Sequence, residues 1–277
     1  MQIITFAAIK GGVGKTTITY NLGEWLVRKK KQKVLLIDAD SQSSLSQTYD
    51  FYHTDYSLAD VLRNEQAALA TDHVSAEQVI QHTKTVDIIP SALDLDKVIP
   101  QLDVQINNEF TLYMWFDDNY DYLKQYDYVL IDCHPDFSII TQNAIITSDL
   151  VFSPSEPSRY SLNAKSVITE RFKQLKQNLV EPKAINGKRQ SYVKAELYFI
   201  GNRINAENES SQKFLEIMQQ DQKTIAYIPE NDLLNESTLF AKPVFAMKKL
   251  DDKQTAFRND LDQTFTNMIQ LCQRKET

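Results

Sequence analysis

The sequence contains little cysteine and has no long apolar run. Its two cysteines, Cys133 and Cys272, form no metal-binding spacing, so a reduced, cytoplasmic protein is the simplest interpretation. No run of 18 apolar residues is present, and we therefore expect no transmembrane helix. The first residues form a strand pattern without a basic segment or a cleavage site, so we expect no secretion signal.

An excess of positive charge is also absent. The formal net charge of −7 argues against a constitutive nucleic-acid binder, because such domains are usually basic. It leaves open a local basic face, or one that is completed on dimerisation. The 42% hydrophobic and 24% charged residues are typical of a soluble globular protein, and 277 residues suit one α/β domain over residues 1–277.

A glycine-rich stretch follows the first apolar run. Residues 10–17 read KGGVGKTT and lie between a β-prone run, 3–9, and a helical pattern, 18–27. This order is typical of a phosphate-binding loop, in which backbone N–H groups and a helix N-terminus hold an anion. Lys15 can reach the β- and γ-phosphates of a nucleotide, and the Thr16 hydroxyl can ligate Mg²⁺.

Two later apolar runs end in aspartate. Residues 33–38 read KVLLID and residues 126–132 read YDYVLID, and both runs predict buried parallel strands. The carboxyl ends of parallel strands face the ligand crevice, so we expect Asp38, Asp40 and Asp132 to point toward the phosphates. Asp132 has the position of a Walker B carboxylate, which holds Mg²⁺ opposite Thr16.

Together these stretches resemble the deviant Walker A ATPases of the ParA/MinD group. In that motif a second lysine, here Lys10, precedes the paired glycines, and Ile9 replaces the first glycine of the ordinary motif. The resemblance covers residues 3–250 and includes the stretches IPSALDLDKVIPQL and IPENDLLNESTLFAKPVF. It implies a P-loop NTPase fold: a mostly parallel, twisted α/β sheet with helices on both faces. Because the loop begins at residue 10, we expect the short form without an N-terminal helix-turn-helix.

The resemblance also implies roles for individual residues. Lys10, Lys15 and Asp40 are the implied catalytic residues: Lys10 contacts the partner subunit's phosphates, and Asp40 positions the attacking water. The implied Mg²⁺ ligands are Thr16, Asp38 and Asp132, and Asn202 is implied to read the edge of adenine. The residues implied to bind ATP are Lys10, Gly11, Gly12, Val13, Gly14, Lys15, Thr16, Thr17, Asn202, Pro229 and Asn231.

By the same resemblance, the chain is implied to act in plasmid or chromosome partition. ATP and Mg²⁺ would close two subunits into a homodimer that binds double-stranded DNA nonspecifically. A ParB-like centromere-binding protein would then stimulate hydrolysis and release. The implied location is cytoplasmic and nucleoid-associated, with no membrane partner. Four basic residues are candidates for DNA contact, although each also fits an ordinary solvated side chain: Arg203, Lys242, Lys248 and Lys249.

Three other functions remain open. A MinD-like membrane-cycling ATPase needs a basic amphipathic C-terminal helix, which the tail 273–277 (QRKET) lacks. A related bacterial tyrosine kinase would carry a C-terminal tyrosine cluster, but no tyrosine follows Tyr227. A nucleotide-binding adaptor with little turnover remains open because Ser41 and Cys133-His134 depart from the family's usual residues. Glu230 also replaces a residue that is often basic.

Several segments give predictions of structure. Residues 195–200 predict a strand, and residues 107–126 predict an amphipathic helix with its aromatic residues on the core side. Residues 253–274 predict a helix with a core-packing stripe. The stripe comprises Phe257, Leu261, Phe265, Met268 and Leu271/Cys272. A catalytic His134 or a metal site at Cys133 and His134 is disfavoured, since no further ligand cluster is visible.

Overall fold

The apolar runs of the sequence form the strands of one sheet in the computed structural model, which describes residues 1–64, 74–102, 108–182 and 189–273. The strands are β1 (Gln2–Phe6), β2 (Val34–Ala39), β3 (Gln81–His82), β4 (Asp87–Ile89), β5 (Tyr128–Cys133), β6 (Leu150–Ser155), β7 (Glu196–Ile204) and β8 (Thr224–Pro229). Their order is β3-β4-β2-β5-β1-β6-β7-β8, and only the β3–β4 pair is antiparallel among these strands. The predicted α/β class with a mostly parallel sheet is therefore confirmed.

Helices connect the strands. They are α1 (Lys15–Lys30), α2 (Ser44–Thr48), α3 (Leu58–Asn64), α4 (Ala76–Val79), α5 (Ile99–Leu102), α6 (Thr111–Asp118), α7 (Tyr120–Leu123), α8 (Ile139–Thr147), α9 (Arg159–Asn178), α10 (Glu209–Gln219), α11 (Asp232–Leu239) and α12 (Asp252–Gln273). Short 3-10 turns lie at Leu95–Lys97, Asn108–Phe110 and Val244–Ala246.

The strand residues pack alternately into two hydrophobic cores, one on each face of the sheet. Along β5, Val129 and Ile131 belong to one core, whereas Tyr128 and Leu130 belong to the other. The first core is covered by α3 to α10, and the second is covered by α1, α2, α11 and α12. A parallel sheet buried on both faces requires near-continuous apolar strands, which explains why the strand runs alternate so little in polarity.

The C-terminal helix confirms the predicted core stripe over its described side chains. Phe257, Leu261, Phe265 and Met268 of α12 are buried in the second core, where Phe265 meets the Trp25 ring edge-on at 5.7 Å between centroids. The side chain of Cys272 and the tail 274–277 lie outside the described residues. Within the described residues, no helix is both long and apolar enough to span a bilayer.

The aromatic segment before β5 departs from its prediction. A break at Asn119 divides it into α6 and α7. Trp115, Phe116 and Tyr126 are buried in the first core, and Phe110 and Tyr122 pack against it. Tyr113 and Tyr120 are 51% and 55% exposed, so the expectation that all aromatics face the core was wrong for these two. The alternation of aromatic and acidic residues does not distinguish the two faces of such short helices.

Strand β7 is longer than the sequence predicted. The apolar run ends at Ile200, but the strand continues to Ile204 and carries Asn202 with it. Its pairing with β8 shifts register between Gly201 and Ile204. This extension matters for function because it moves Asn202 from a loop into the sheet. Residues 183–188, which include Lys183 and Lys188, lie outside the described residues. The single domain over residues 1–277 remains a prediction.

Candidate nucleotide-binding site

The loop between β1 and α1 has the backbone of an anion site. Gly12 and Gly14 have φ angles of 76° and 92°, a left-handed region that other residues rarely adopt. Gly14 is the N-cap of α1, whose first turn contains no acidic side chain. The positive end of the helix dipole therefore faces the loop, and no acidic side chain of the helix's own first turn offsets it. Lys15 begins this helix and is largely buried.

Asp132 lies directly opposite the start of α1. The Thr16 hydroxyl donates to Asp132 Oδ2 at 2.6 Å. Asp38 and Asp132 are also neighbours in the β2–β5 register, so two carboxyl groups end adjacent strands beside the loop. The structure thus brings together the three predicted metal ligands, Thr16, Asp38 and Asp132, at one edge of the sheet.

Both strand-end carboxyl groups are fully buried, and this changes their protonation. Burial, reinforced by the nearby Asp38 charge, raises the pKa of Asp132 to about 7. Burial also raises the pKa of Asp38 to about 6, although hydrogen bonds from Ser46 and the Asp40 backbone oppose the increase. A divalent cation would favour the ionised carboxylates, so the pair and the Thr16 hydroxyl fit Mg²⁺ as a hard, oxygen-liganded ion.

The two aspartates nevertheless have different partners. Asp38 Oδ2 accepts hydrogen bonds from the backbone N–H and the hydroxyl of Ser46, at 2.8 and 2.7 Å. Asp38 Oδ1 accepts from the Asp40 backbone at 3.2 Å. Asp132, by contrast, faces Thr16 in the phosphate loop. Of the two carboxylates, Asp132 is thus the one directly connected to this loop.

Asp40 faces the open part of the site. It lines a cavity of about 880 Å³ together with Lys15, Thr16 and the glycines of the loop. Its Oδ1 accepts from the Gln42 backbone N–H at 2.9 Å, which fixes the carboxylate in the turn after β2. The predicted phosphate-contacting and water-positioning residues therefore surround one cavity.

Lys10 has a partner that sequence reasoning did not identify. Its ammonium group forms an ion pair with Glu156, just after β6, and also lies 3.3 Å from the Ser158 hydroxyl. Arg203 approaches the same Glu156 carboxylate at 3.3 Å and donates to Gly12 O at 2.8 Å. Glu156 was missed because no local pattern links it to a lysine 146 positions earlier.

The end of the site that would hold the adenine base, called the base end below, is formed around Asn202. Its Nδ2 donates to Val13 O at 2.8 Å, and a Cβ added to Gly14 would lie only 2.3 Å from the same nitrogen. Its Oδ1 is buried and accepts no hydrogen bond from any residue that the structure describes. An unpartnered buried acceptor beside the phosphate loop fits an amino group such as that of adenine.

Pro229 and Asn231, which the resemblance implies for ATP binding, lie near Asn202. Together with Gly14 and Thr17 they line a cavity of only about 30 Å³. The Asn231 side chain accepts from Leu233 N–H at 3.0 Å and so caps α11. The base end is therefore assembled but narrow, because α11 packs closely against α1.

Cys133 and His134 end and follow β5, beside this site. The Cys133 thiol is completely buried, and burial together with the Asp132 charge raises its pKa well above the usual value. His134 Nδ1 lies 3.2 Å from Asp136 Oδ2. Across the described ranges, no three His, Cys, Asp or Glu side chains are grouped to hold a metal ion.

The candidate DNA contacts fall into two groups. Arg203 of β7 contacts the phosphate loop at Gly12 and also approaches the Glu156 carboxylate. Lys242, Lys248 and Lys249 are exposed after α11. The structure thus separates one cleft residue from three surface lysines.

The fold and this cleft define a P-loop nucleotide-binding protein of the α/β class. Residues 1–185 match the family described as AAA domain. Chromosome partitioning protein ParA of Caulobacter vibrioides is 30% identical over 249 residues, which cover 88% of this chain and 86% of that protein. The chain belongs to the AAA domain family and, within it, to the ParA-type ATPases.

Two further comparisons describe how far the similarity extends. An uncharacterized protein of Mycobacterium tuberculosis is 35% identical over 188 residues, or 67% of this chain, but the match spans only 56% of that protein. A plasmid partition protein from Borrelia burgdorferi, solved with AMPPNP, has a TM-score of 0.72 at 24% identity. It covers 94% of this chain and 97% of its own, and supports the fold.

Proposed function

We propose that this chain is a Mg²⁺-dependent ATPase that uses ATP to drive partition of a plasmid or a chromosome. The observation that carries the proposal is the single cleft in which Lys15, Thr16, Asp40 and Asp132 meet beside the buried amide of Asn202. In a ParA-type chain these groups supply phosphate binding, metal binding, water positioning and base recognition.

Each group of residues has a role that follows from its position in the cleft. The backbone N–H groups of the loop and Lys15 bind the phosphates, because they present positive charge at the start of α1. Thr16 and Asp132 would hold Mg²⁺, with Asp38 beside them. Bound Mg²⁺ neutralises the charge that develops on the phosphate oxygens. Asp40 lies across the cavity and orients a water molecule for attack on the γ-phosphate.

Lys10 would change partners during the cycle. In the single chain it is neutralised by Glu156. In a nucleotide-bound homodimer it would extend to the other subunit's phosphates, as the family resemblance implies. We expect Lys10→Ala to block ATP-dependent dimerisation while the chain still binds ATP. Light scattering with and without ATP tests this, and an unchanged ATP-dependent dimer would refute it.

The closed dimer would bind nonspecific duplex DNA, and hydrolysis stimulated by a centromere-binding protein would release it. Because the chain carries a net charge of −7, binding requires that the dimer concentrate its basic residues on one face. Such binding to phosphates weakens steeply with salt. Nucleoid association would follow from this activity.

Co-sedimentation with nonspecific duplex DNA and, separately, with anionic vesicles tests whether the chain binds DNA or a membrane surface. Each is measured with ATP and Mg²⁺, with ADP and without nucleotide, and Lys15→Ala serves as a control that should not bind ATP. Salt-sensitive DNA binding that requires ATP is the expected result. Binding to vesicles instead would overturn the partition assignment in favour of membrane cycling.

The position of α12 bears on that alternative. The apolar residues of the helix, including Leu261 and Phe265, are buried against the sheet core. This face would have to leave the core before it could enter a lipid surface. Membrane cycling through this helix would therefore require partial unfolding of the second core.

A further inference from the structure

Ser46 lies at the centre of a buried hydrogen-bond chain that ends at the nucleotide cleft. The chain begins after β4, where the Ser91 backbone N–H donates to Ser46 Oγ at 2.9 Å. Ser46 Oγ lies 2.7 Å from Asp38 Oδ2, and the Ser46 backbone N–H donates to the same oxygen at 2.8 Å. Asp38 Oδ1 then accepts from the Asp40 backbone N–H at 3.2 Å.

The direction of each bond in this chain follows from the chemistry of the groups. A backbone N–H only donates, so Ser46 Oγ must accept from Ser91. The Ser46 hydroxyl proton is then available for Asp38. Two donors from one residue therefore hold Asp38 Oδ2, and the second oxygen of this carboxylate is left to orient the Asp40 backbone.

Ser46 does not contact the cleft itself. It is completely buried, whereas its neighbours Ser44, Gln47 and Thr48 line the large cavity. Helix α2 is only five residues long, and the hydroxyl of its N-cap residue, Ser43, is 3.4 Å from Ser41 O instead of capping the helix. The Ser46–Asp38 contact therefore fastens this short helix, and the turn that carries Asp40, to the end of β2.

We propose that Ser46 is a positioning residue for ATP hydrolysis: through Asp38 it fixes the turn in which Asp40 faces the phosphates. The proposal rests on the ATPase function proposed above and adds a residue to it. Binding of ATP depends mainly on the loop at Lys15 and on Asn202, neither of which touches Ser46. Loss of the Ser46 hydroxyl should thus reduce turnover far more than affinity.

The test measures turnover and nucleotide affinity of Ser46→Ala and Ser46→Cys. We expect kcat to fall at least about tenfold, because small errors in the placement of a reacting group are costly. Affinity for a fluorescent ATP analogue should stay within about twofold, since the phosphate contacts are unchanged. Cysteine keeps the side-chain volume close to that of serine but is a weak donor, so it separates hydrogen bonding from packing.

Ser148→Ala is the matched control. Ser148 is also buried, donates to Ala144 O at 2.7 Å and lies 2.6 Å from the Thr5 hydroxyl. It lies just before β6 and lines neither cavity of the cleft. It should lower thermal stability as Ser46→Ala does, with kcat unchanged. Equal losses of kcat in the two variants would overturn the proposal.

The outcomes separate the two proposals. If the wild-type chain does not hydrolyse ATP, with or without DNA, the ATPase function fails. If the wild type hydrolyses ATP and Ser46→Cys matches its kcat, the positioning role alone is overturned. If affinity falls as much as kcat does, Ser46 supports binding instead of the chemical step, which also overturns the positioning role.

Discussion

The cleft has two ends, the phosphate end around the glycine-rich loop and the base end around Asn202, and they are constructed differently. The phosphate end is a cavity of about 880 Å³ that includes six residues of one short loop segment, Gly11, Gly12 and Gly14–Thr17, together with residues of α2, β7 and α11. The base end has about 30 Å³ and combines residues of α1, β7, β8 and α11. The phosphate end is therefore preformed, and we expect the base end to widen when a nucleotide enters.

The largest expected effect separates chemistry from binding at the phosphate end. Asp40→Ala should leave ATP affinity nearly unchanged and lower hydrolysis by about 10²–10⁴, the range for a group that manages a proton or a water molecule in catalysis. Single-turnover hydrolysis and analogue binding measure the two quantities. Normal turnover in this variant would refute the water-positioning role of Asp40.

Gly14→Ala should damage both ends of the cleft together. Gly14 has φ 92°, and its new Cβ would meet Asn202 Nδ2 at 2.3 Å, so the phosphate loop and the amide must both move. We expect a loss of about 2–4 kcal/mol in the free energy of unfolding, from backbone strain and the steric conflict.

Gly12→Ala is the matched control for this loss. Gly12 has φ 76°, but a Cβ there would meet no atom within 4 Å, so only the backbone strain of about 1–2 kcal/mol applies. Urea denaturation compares the two variants. Equal losses of unfolding free energy in the two variants would mean that the contact between the loop and Asn202 contributes nothing to stability.

The buried carboxylates at the phosphate end predict a pH dependence. The pKa of Asp132 is raised to about 7, so the folded chain retains a proton that the unfolded chain releases near pH 4. This contribution to stability is therefore complete below about pH 4, decreases as the pH rises, and is lost above about pH 7. Without Mg²⁺, the wild-type chain at pH 8 must keep the ionised Asp132 carboxylate buried without a neutralising cation.

Asp132→Asn tests this directly because it removes the charge and keeps an acceptor for Thr16. In Mg²⁺-free buffer it should raise the free energy of unfolding by about 1–3 kcal/mol at pH 8 and have little effect at pH 5. Thermal unfolding at both pH values measures the difference. Stabilisation of equal size at both pH values would contradict the assigned protonation.

The smallest effect concerns the base end. Asn202→Ala removes the amide that faces the adenine position, and we expect about tenfold weaker ATP binding, the value of one or two hydrogen bonds. Binding of inorganic tripolyphosphate, which has no base, should be unchanged. Equal weakening of both ligands would mean that Asn202 supports the loop instead of reading the base.

The residues of the phosphate end were easier to predict from the sequence than the contacts between distant segments. The phosphate loop could be predicted because its residues are consecutive and because glycine, lysine and threonine have fixed roles there. The strand-end aspartates could be predicted because the carboxyl ends of parallel strands share one edge of the sheet. The Lys10–Glu156 pair and the Ser91–Ser46–Asp38 chain were not, since they join residues distant in sequence without any local pattern.

The sequence by itself determined that this chain has a parallel α/β sheet, a phosphate loop with a second lysine, and carboxylates at the ends of two strands. These features depend on local composition and period, which one segment carries alone. Only the tertiary structure decided that Lys10 pairs with Glu156, because this contact joins residues 146 positions apart. It also decided that Asn202 lies on a strand beside Gly14, because sheet pairing extends β7 beyond its apolar run.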